Sequence, residues 1–227
     1  MRRWAAKDKS YPYVAHYLTD IGNERLAKIG ALCITWNAVE EYVDRALGAA
    51  LGLNADIFSD VVSRIGGFDG KIGILKRYID LFWSERRFVA PMKDTLGNIE
   101  QYKKYRDAVA HVRIHDPEDK IFASFRNQGR TVEVLLTGDS LFALIVRVGL
   151  LQQEMVRVGL LVCSERQVHA QPEMSDQEKQ QNATQVELGL AQLLECQALR
   201  AKAPPLPPFP DVSQDPPKKA KKPKPPA

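Results

Sequence analysis

The 227-residue chain is long enough for one domain with a sizeable hydrophobic core, and its 44% hydrophobic and 26% charged residues are typical of a globular protein. It has no apolar run of eighteen residues and no secretory signal, so we expect no membrane-spanning segment and a cytoplasmic location. Of the formal net charge of +4, +3 belongs to the tail from residue 204 onward, where five lysines accompany two aspartates. The rest of the chain is nearly neutral, so overall charge does not indicate a nucleic-acid partner.

Four segments carry apolar residues at three- and four-residue steps and are predicted to be helices. Gly52 is expected to stop the first helix, Pro91 to occupy the first turn of the third, and Asp139 or Ser140 to cap the fourth. The four predicted helices cover about 24–52, 70–83, 91–115 and 139–164.

Between the third and fourth helices, residues 121–125 and 131–136 alternate in polarity around Asn127-Gln128-Gly129, which predicts a small β-hairpin. Amphipathic helices joined by short links bury their apolar stripes by packing into a bundle. The expected fold is therefore all-α: a four-to-five-helix up-down bundle with a small β-hairpin insertion and a disordered C-terminal tail.

The character of the chain changes after His169. Residues 171–184 are rich in Gln, Glu and Asp, a short amphipathic stretch follows, and ten of the fourteen prolines lie from residue 204 onward. Residues 204–208 fit a polyproline ligand and residues 218–222 a basic anchor, although both patterns also occur in uncommitted tails. We expect an N-terminal extension over 1–17, a helical bundle over 18–169, a polar linker with a short amphipathic helix over 170–203 and the tail over 204–227.

The third helix ends in an Arg-x4-His unit formed by Arg106 and His111. On a helical wheel Arg106 lies near the centre of the apolar face and His111 about 140° away, at its edge. An inward guanidinium is costly unless it is paired or lines a wet cleft. Asp107 lies four residues before His111 and can orient its imidazole. A cation, an imidazole and a carboxylate are groups that metal-free RNA cleavage uses.

An alternative gives the same residues structural roles. Arg106 would pair with Glu40 or Glu41 on the first helix, and His111 would sit favourably at a helix C-terminus. On a straight helix Arg106 and His111 do not meet. Their convergence requires a distorted helix end, a long reach by the arginine, or a second subunit that supplies the other half of the site.

Tyr102, Lys103, Lys104 and Tyr105 precede the unit and interleave cations with aromatic rings. Lysines attract phosphates and tyrosine rings stack on unpaired bases, so this stretch is a candidate RNA-binding segment. The alternative is that the tyrosines are half buried and the lysines lie on a solvated face. His115 lies four residues beyond His111, but no Glu or Cys completes a ligand set, so we expect neither a metal site nor a cofactor.

Together these features resemble the HEPN domain, the higher-eukaryote and prokaryote nucleotide-binding helical bundle. The resemblance covers residues 18–168 and is carried by Trp36-x3-Glu40, by the helix over 71–80 and by Arg106-Asp107-x3-His111. The hairpin and the long final helix also fit. Asp107 stands where the family commonly has a polar residue, often Asn.

The resemblance implies a metal-independent endoribonuclease that works at a homodimer interface on single-stranded or loop RNA, in a toxin or defence system. His111 would be the general acid/base, Arg106 would stabilise the phosphate charge and Asp107 would tune His111. A cognate antitoxin or a nucleotidyltransferase is the partner that the resemblance suggests. Two alternatives remain: a non-catalytic module that binds a protein or nucleotide, and an adaptor that acts through its Pro/Lys tail.

Overall fold

The computed structural model describes residues 23–83, 86–110, 121–127, 130–170 and 173–208. These residues are mostly helical, which confirms the predicted all-α class. None of the helices in these ranges is both long enough and apolar enough to cross a membrane. In chain order the elements are α1 (Asn23–Leu51), α2 (Ala55–Arg64), α3 (Gly67–Phe82), α4 (Arg86–Ala110), β1 (Ile121–Asn127), β2 (Arg130–Leu136), α5 (Gly138–Ala170) and α6 (Asp176–Lys202).

Local sequence signals set several helix ends. Gly52 has a φ of 67° directly after α1, a left-handed conformation that glycine adopts without strain, as predicted for this stop. The Asn54 side chain accepts a hydrogen bond from the Ile57 amide and caps α2. A capping box starts α6, in which Ser175 and Glu178 each bond the other's backbone amide.

Helix α5 lies at the centre of the helical packing, with α1, α4 and α6 against it. α1 and α5 run side by side in the same direction, because Lys28 lies near Gly138 at one end and Gly52 lies against Arg166 at the other. The apolar stripe of α5 is fully buried and forms much of the core. It consists of Leu141, Leu144, Val148, Leu151, Met155, Val158 and Val162.

Helix α4 runs antiparallel to both α3 and α5. Its pairing with α3 is marked by ion pairs at both ends, from Lys93 to Asp80 at 2.5 Å and from Lys103 to Asp69 at 2.8 Å. β1 and β2 pair antiparallel, with Ile121 opposite Leu136, and connect α4 to α5. These packing relations place the end of α4 next to the middle of α1.

The structure differs from the predicted elements in three places. α2 was not predicted, although Asn54 at its start is a residue type that commonly caps a helix. α4 begins at Arg86, so Pro91 lies inside the helix rather than in its first turn. The linker predicted over 170–203 is largely the 27-residue helix α6, which packs on α5 and α4. Glutamine and glutamate favour helix even where they bury little, and this outweighed the weak apolar pattern.

Candidate functional site at the end of α4

The last turns of α4 carry Arg106 and Asp107, and the facing part of α1 carries Trp36 and Glu40. Arg106 Nη2 bonds Glu40 Oε1, and Trp36 Nε1 donates to the same oxygen over 2.6 Å. Arg106 Nη1 lies 3.0 Å from Asp107 Oδ1. The two α1 residues are four apart and so share one face of the helix, which makes the common oxygen possible. We call these four residues the Arg106 cluster.

The Trp36 ring is buried and forms the floor of the cluster. The Arg106 guanidinium carbon lies 5.2 Å from its ring centre, within range of a cation–π contact. Phe68 at the start of α3 also packs against the tryptophan, with ring centres 5.9 Å apart. The aromatic floor and the two carboxylates hold the guanidinium in one orientation.

This arrangement accounts for the inward arginine on the apolar face of α4. Of the two pairing partners expected for it, the structure selects Glu40, whereas Glu41 pairs with Arg45 along α1. The Arg106 side chain is 25% exposed, so its charge stays in contact with solvent. Its Nε is buried and, among the described residues, has no hydrogen-bond partner. The cluster contains one cation and two carboxylates, so it carries a net charge of about −1 at neutral pH.

His111 lies outside the described residues, as does the whole stretch 111–120. α4 ends at Ala110, so the structure brings together Arg106 and Asp107 of the predicted catalytic set. Within the described residues no group of three or more His, Cys, Asp or Glu side chains is arranged to hold a metal ion.

The residues of the predicted RNA-binding segment differ in burial: the two tyrosines are buried and the two lysines are not. Tyr102 and Tyr105 are 3% and 4% exposed, so neither ring offers a face to an unpaired base. Both rings are covered in this structure, and the stacking role of the two tyrosines stays a prediction. Their hydroxyls are engaged, since Arg147 donates to Tyr102 and Tyr105 donates to the carbonyl of Pro207. Burial also raises the pKa of Tyr105, which keeps its hydroxyl protonated.

The two lysines of that segment differ from each other. Lys103 Nζ lies 2.8 and 2.9 Å from the carboxylate oxygens of Asp69, so its charge is partly neutralised. Lys104 is exposed one residue further along α4. Lys104 is thus the more accessible of the two cations for a phosphate.

Sequence reasoning missed a buried polar network where α4, α5 and α6 meet. Glu154 accepts hydrogen bonds from Arg200 Nε at 2.6 Å and from the Thr95 hydroxyl at 2.8 Å. Arg200 also bonds Asp94, and Gln197 donates to Thr95 over 3.1 Å. The available signal was Glu154 itself, which falls between Leu151 and Val158 on the apolar stripe of α5, as Arg106 does on α4.

Burial raises the pKa of Glu154, and this outweighs the opposing effects of the Arg200 and Thr95 hydrogen bonds. Its carboxylate is enclosed by its partners, so the network joins three helices rather than forming an accessible site.

The chain matches no protein-family model, no curated protein and no solved structure.

Proposed function

We propose that the protein is a metal-independent endoribonuclease of the cytoplasm, with Arg106, Asp107 and His111 as its catalytic set. The observation that supports this proposal best is the position of the Arg106 guanidinium. It is held by Glu40 and Asp107 at the end of α4, partly open to solvent, five residues before His111. A fixed guanidinium that solvent reaches suits the stabilisation of charge on a phosphate.

In this proposal His111 removes the proton of a ribose 2′-hydroxyl, whose oxygen attacks the adjacent phosphorus. The bond to the 5′-oxygen of the next nucleotide breaks and His111 gives its proton to that oxygen, which leaves a cyclic 2′,3′-phosphate and a free 5′-hydroxyl. Arg106 binds the phosphate through the second N–H groups of Nη1 and Nη2, since Glu40 and Asp107 each engage one nitrogen. Asp107 orients His111, and Lys103 and Lys104 attract the RNA backbone.

A homodimer completes the proposed site. Arg106 and His111 stand about 140° apart around an ideal helix, so one helix does not direct both side chains to one phosphate. Two copies of α4 that meet near their C-terminal ends would place Arg106 of one copy beside His111 of the other. A cognate antitoxin or a nucleotidyltransferase remains the proposed regulatory partner, in a toxin or defence setting.

The test is cleavage of varied single-stranded and stem-loop RNAs in EDTA by the wild type and by Arg106→Ala and His111→Ala. Arg45→Ala is the matched control, because it removes an exposed, carboxylate-paired cation from the neighbouring helix α1. We expect wild type and Arg45→Ala to cleave within about two-fold of each other and the other two variants to lose about 100-fold or more. Equal activity in all four proteins would indicate a contaminating nuclease and reject the catalytic assignment.

A second candidate is favoured by the Arg106–Glu40 pair itself. If that pair only fastens α4 to α1, the protein is a non-catalytic module that binds a protein or nucleotide. Arg106→Ala and Glu40→Gln would then each lower the melting temperature, and the well-folded wild type would cleave none of the RNAs. Loss of cleavage with an unchanged melting temperature in His111→Ala would favour the nuclease instead.

A further inference from the structure

A proline-rich segment that follows α6 is seated on the surface of α4 and α5. Ala203–Pro208, which we call the strap, leaves the helix with φ −64° and ψ 153° at Ala203, values typical of a polyproline II chain. Four of its six residues are prolines, at positions 204, 205, 207 and 208.

The strap is held through its backbone carbonyls. Arg147 Nη2 donates to Ala203 over 2.7 Å and its Nε to Pro204 over 2.9 Å. The Tyr105 hydroxyl donates to the Pro207 carbonyl over 2.7 Å. Between these contacts, Leu206 packs partly buried against the hydrophobic core.

The receiving surface consists of Tyr102, Tyr105 and Arg147, and we call it the Tyr–Arg surface. Arg147 Nη1 donates to the Tyr102 hydroxyl over 2.9 Å, so all three nitrogens of one guanidinium are bonded to neutral oxygens. Its partners among the described residues are carbonyls and a hydroxyl, an unusual set for a cation that commonly pairs with carboxylates. Residues 102 and 105 lie one turn apart on α4, which aligns their two side chains along the same face.

These contacts match the chemistry by which a polyproline II chain is recognised. Such a chain has no internal hydrogen bonds, and its prolines lack N–H groups, so its carbonyls are the polar groups available for specific contact. A receptor for it combines aromatic side chains with hydrogen-bond donors. The Tyr–Arg surface supplies both, and the strap shows the bound ligand in place.

We infer that the Tyr–Arg surface is a docking site for proline-rich peptide segments, occupied in cis by the strap and available in trans to a proline-rich segment of another protein. Ala203 directly follows the last residue of α6, so the strap is tethered next to its site. A short tether gives an effective concentration in the millimolar range, which keeps the surface closed by default. This inference is independent of the proposed ribonuclease activity.

The test uses the full chain with Leu206→Asp, which places a charge where the strap packs against the core. A fluorescein-labelled, end-capped peptide with the sequence of residues 203–208 is titrated against this variant and against wild type by anisotropy. We expect Leu206→Asp to bind the peptide at least about ten-fold more tightly than wild type, in which the tethered strap competes. Adding Tyr105→Phe or Arg147→Lys should weaken peptide binding about three-fold or more, whereas adding Lys104→Ala should not.

Absence of peptide binding by a folded Leu206→Asp protein, or binding that ignores Tyr105→Phe and Arg147→Lys, would overturn the inference. A second measurement decides the case in which Leu206→Asp does not fold. Trypsin cleavage after Lys202 should be at least about three-fold faster in Tyr105→Phe than in wild type, with Lys104→Ala cutting at the wild-type rate. Equal rates would reject docking, and a wild-type rate that varies with protein concentration would reject the cis assignment.

Discussion

Arg200 on α6 and Glu154 on α5 form a buried ion pair, with 2.6 Å between Nε and Oε1, at the junction of three helices. Glu154 is 0% exposed, and Arg200 reaches past it to Asp94 on α4. Two charges removed from water this completely are tolerated only when each is bonded to the other and to further partners. The pair therefore makes the docking of α6 conditional on its correct register against α5.

Removal of one member of this buried ion pair should lower the free energy of unfolding. We expect Glu154→Leu to lower the free energy of unfolding by about 3–5 kcal/mol, because Arg200 would keep its charge without its buried partner. Urea denaturation followed by circular dichroism measures the change. Glu24→Ala is the control: its exposed pair with Lys28 on α1 should contribute less than about 1 kcal/mol.

The double variant Glu154→Leu/Arg200→Met separates charge from packing. Since it removes both charges together, it should regain most of the stability that Glu154→Leu loses. A double variant as unstable as the single one would show that the shape of the two side chains, rather than their charge, sets the cost.

The burial of Glu154 also predicts a pH dependence with an unusual sign for a carboxyl group. Its pKa is raised above the ordinary value of 4.5, so the folded state holds this proton more firmly than the unfolded state does. The stability gained from it is complete below the unfolded pKa and is lost as the pH rises through the folded pKa. As the pH rises above 4.5, the free energy of unfolding of wild type should fall relative to that of Glu154→Gln.

Chemical denaturation of both proteins at several pH values measures this difference, and the titration of all other groups cancels in the comparison. A constant difference across the range would contradict the raised pKa. A difference that changes in the opposite direction would show that Arg200 and Thr95 outweigh burial and lower the pKa instead.

Two glycines of α1 should respond oppositely to the same substitution. A Cβ at Gly48 would overlap the ring of Phe58 on α2, whereas a Cβ at Gly30 would meet nothing within 4 Å. We expect Gly48→Ala to destabilise the fold by about 1–3 kcal/mol through overpacking. Gly30→Ala should stabilise it by about 0.5–1 kcal/mol through helix propensity. Thermal unfolding of the two variants checks this, and equal melting temperatures would mean that α2 shifts freely.

Features set by residues that are close together in the sequence could be predicted, whereas features that depend on distant residues could not. Helix α5 followed from the regular spacing of apolar residues such as Leu144 and Val148, since that spacing is a local property of the chain. The end of α1 at Gly52 was predicted for the same reason. The capping box of Ser175 and Glu178 is also a local signal and marks the start of α6, whereas the apolar pattern alone predicts a shorter helix.

For a side chain that must be paired, the sequence could predict a few candidate partners but could not select one of them. Arg106 on the apolar face required a carboxylate, and Glu40 was one of two candidates, but selecting it required the packing of α4 on α1. The Glu154–Arg200 pair joins residues 46 positions apart, a distance over which periodicity carries no information. The hydrogen bond from Tyr105 to the Pro207 carbonyl joins residues 102 positions apart, and the prolines by themselves suggested a free tail.

The parallel packing of α1 on α5 has a consequence for the order in which the protein folds. Lys28 lies near Gly138 and Gly52 lies near Arg166, so the contacting residues of these two closely packed helices are 110 and 114 positions apart in the chain. Contacts of such long sequence separation form late, because a large loop must close first. During synthesis, the apolar face of α1 therefore lacks its partner helix α5 until most of the chain has left the ribosome. In that interval the exposed apolar face is a target for chaperones.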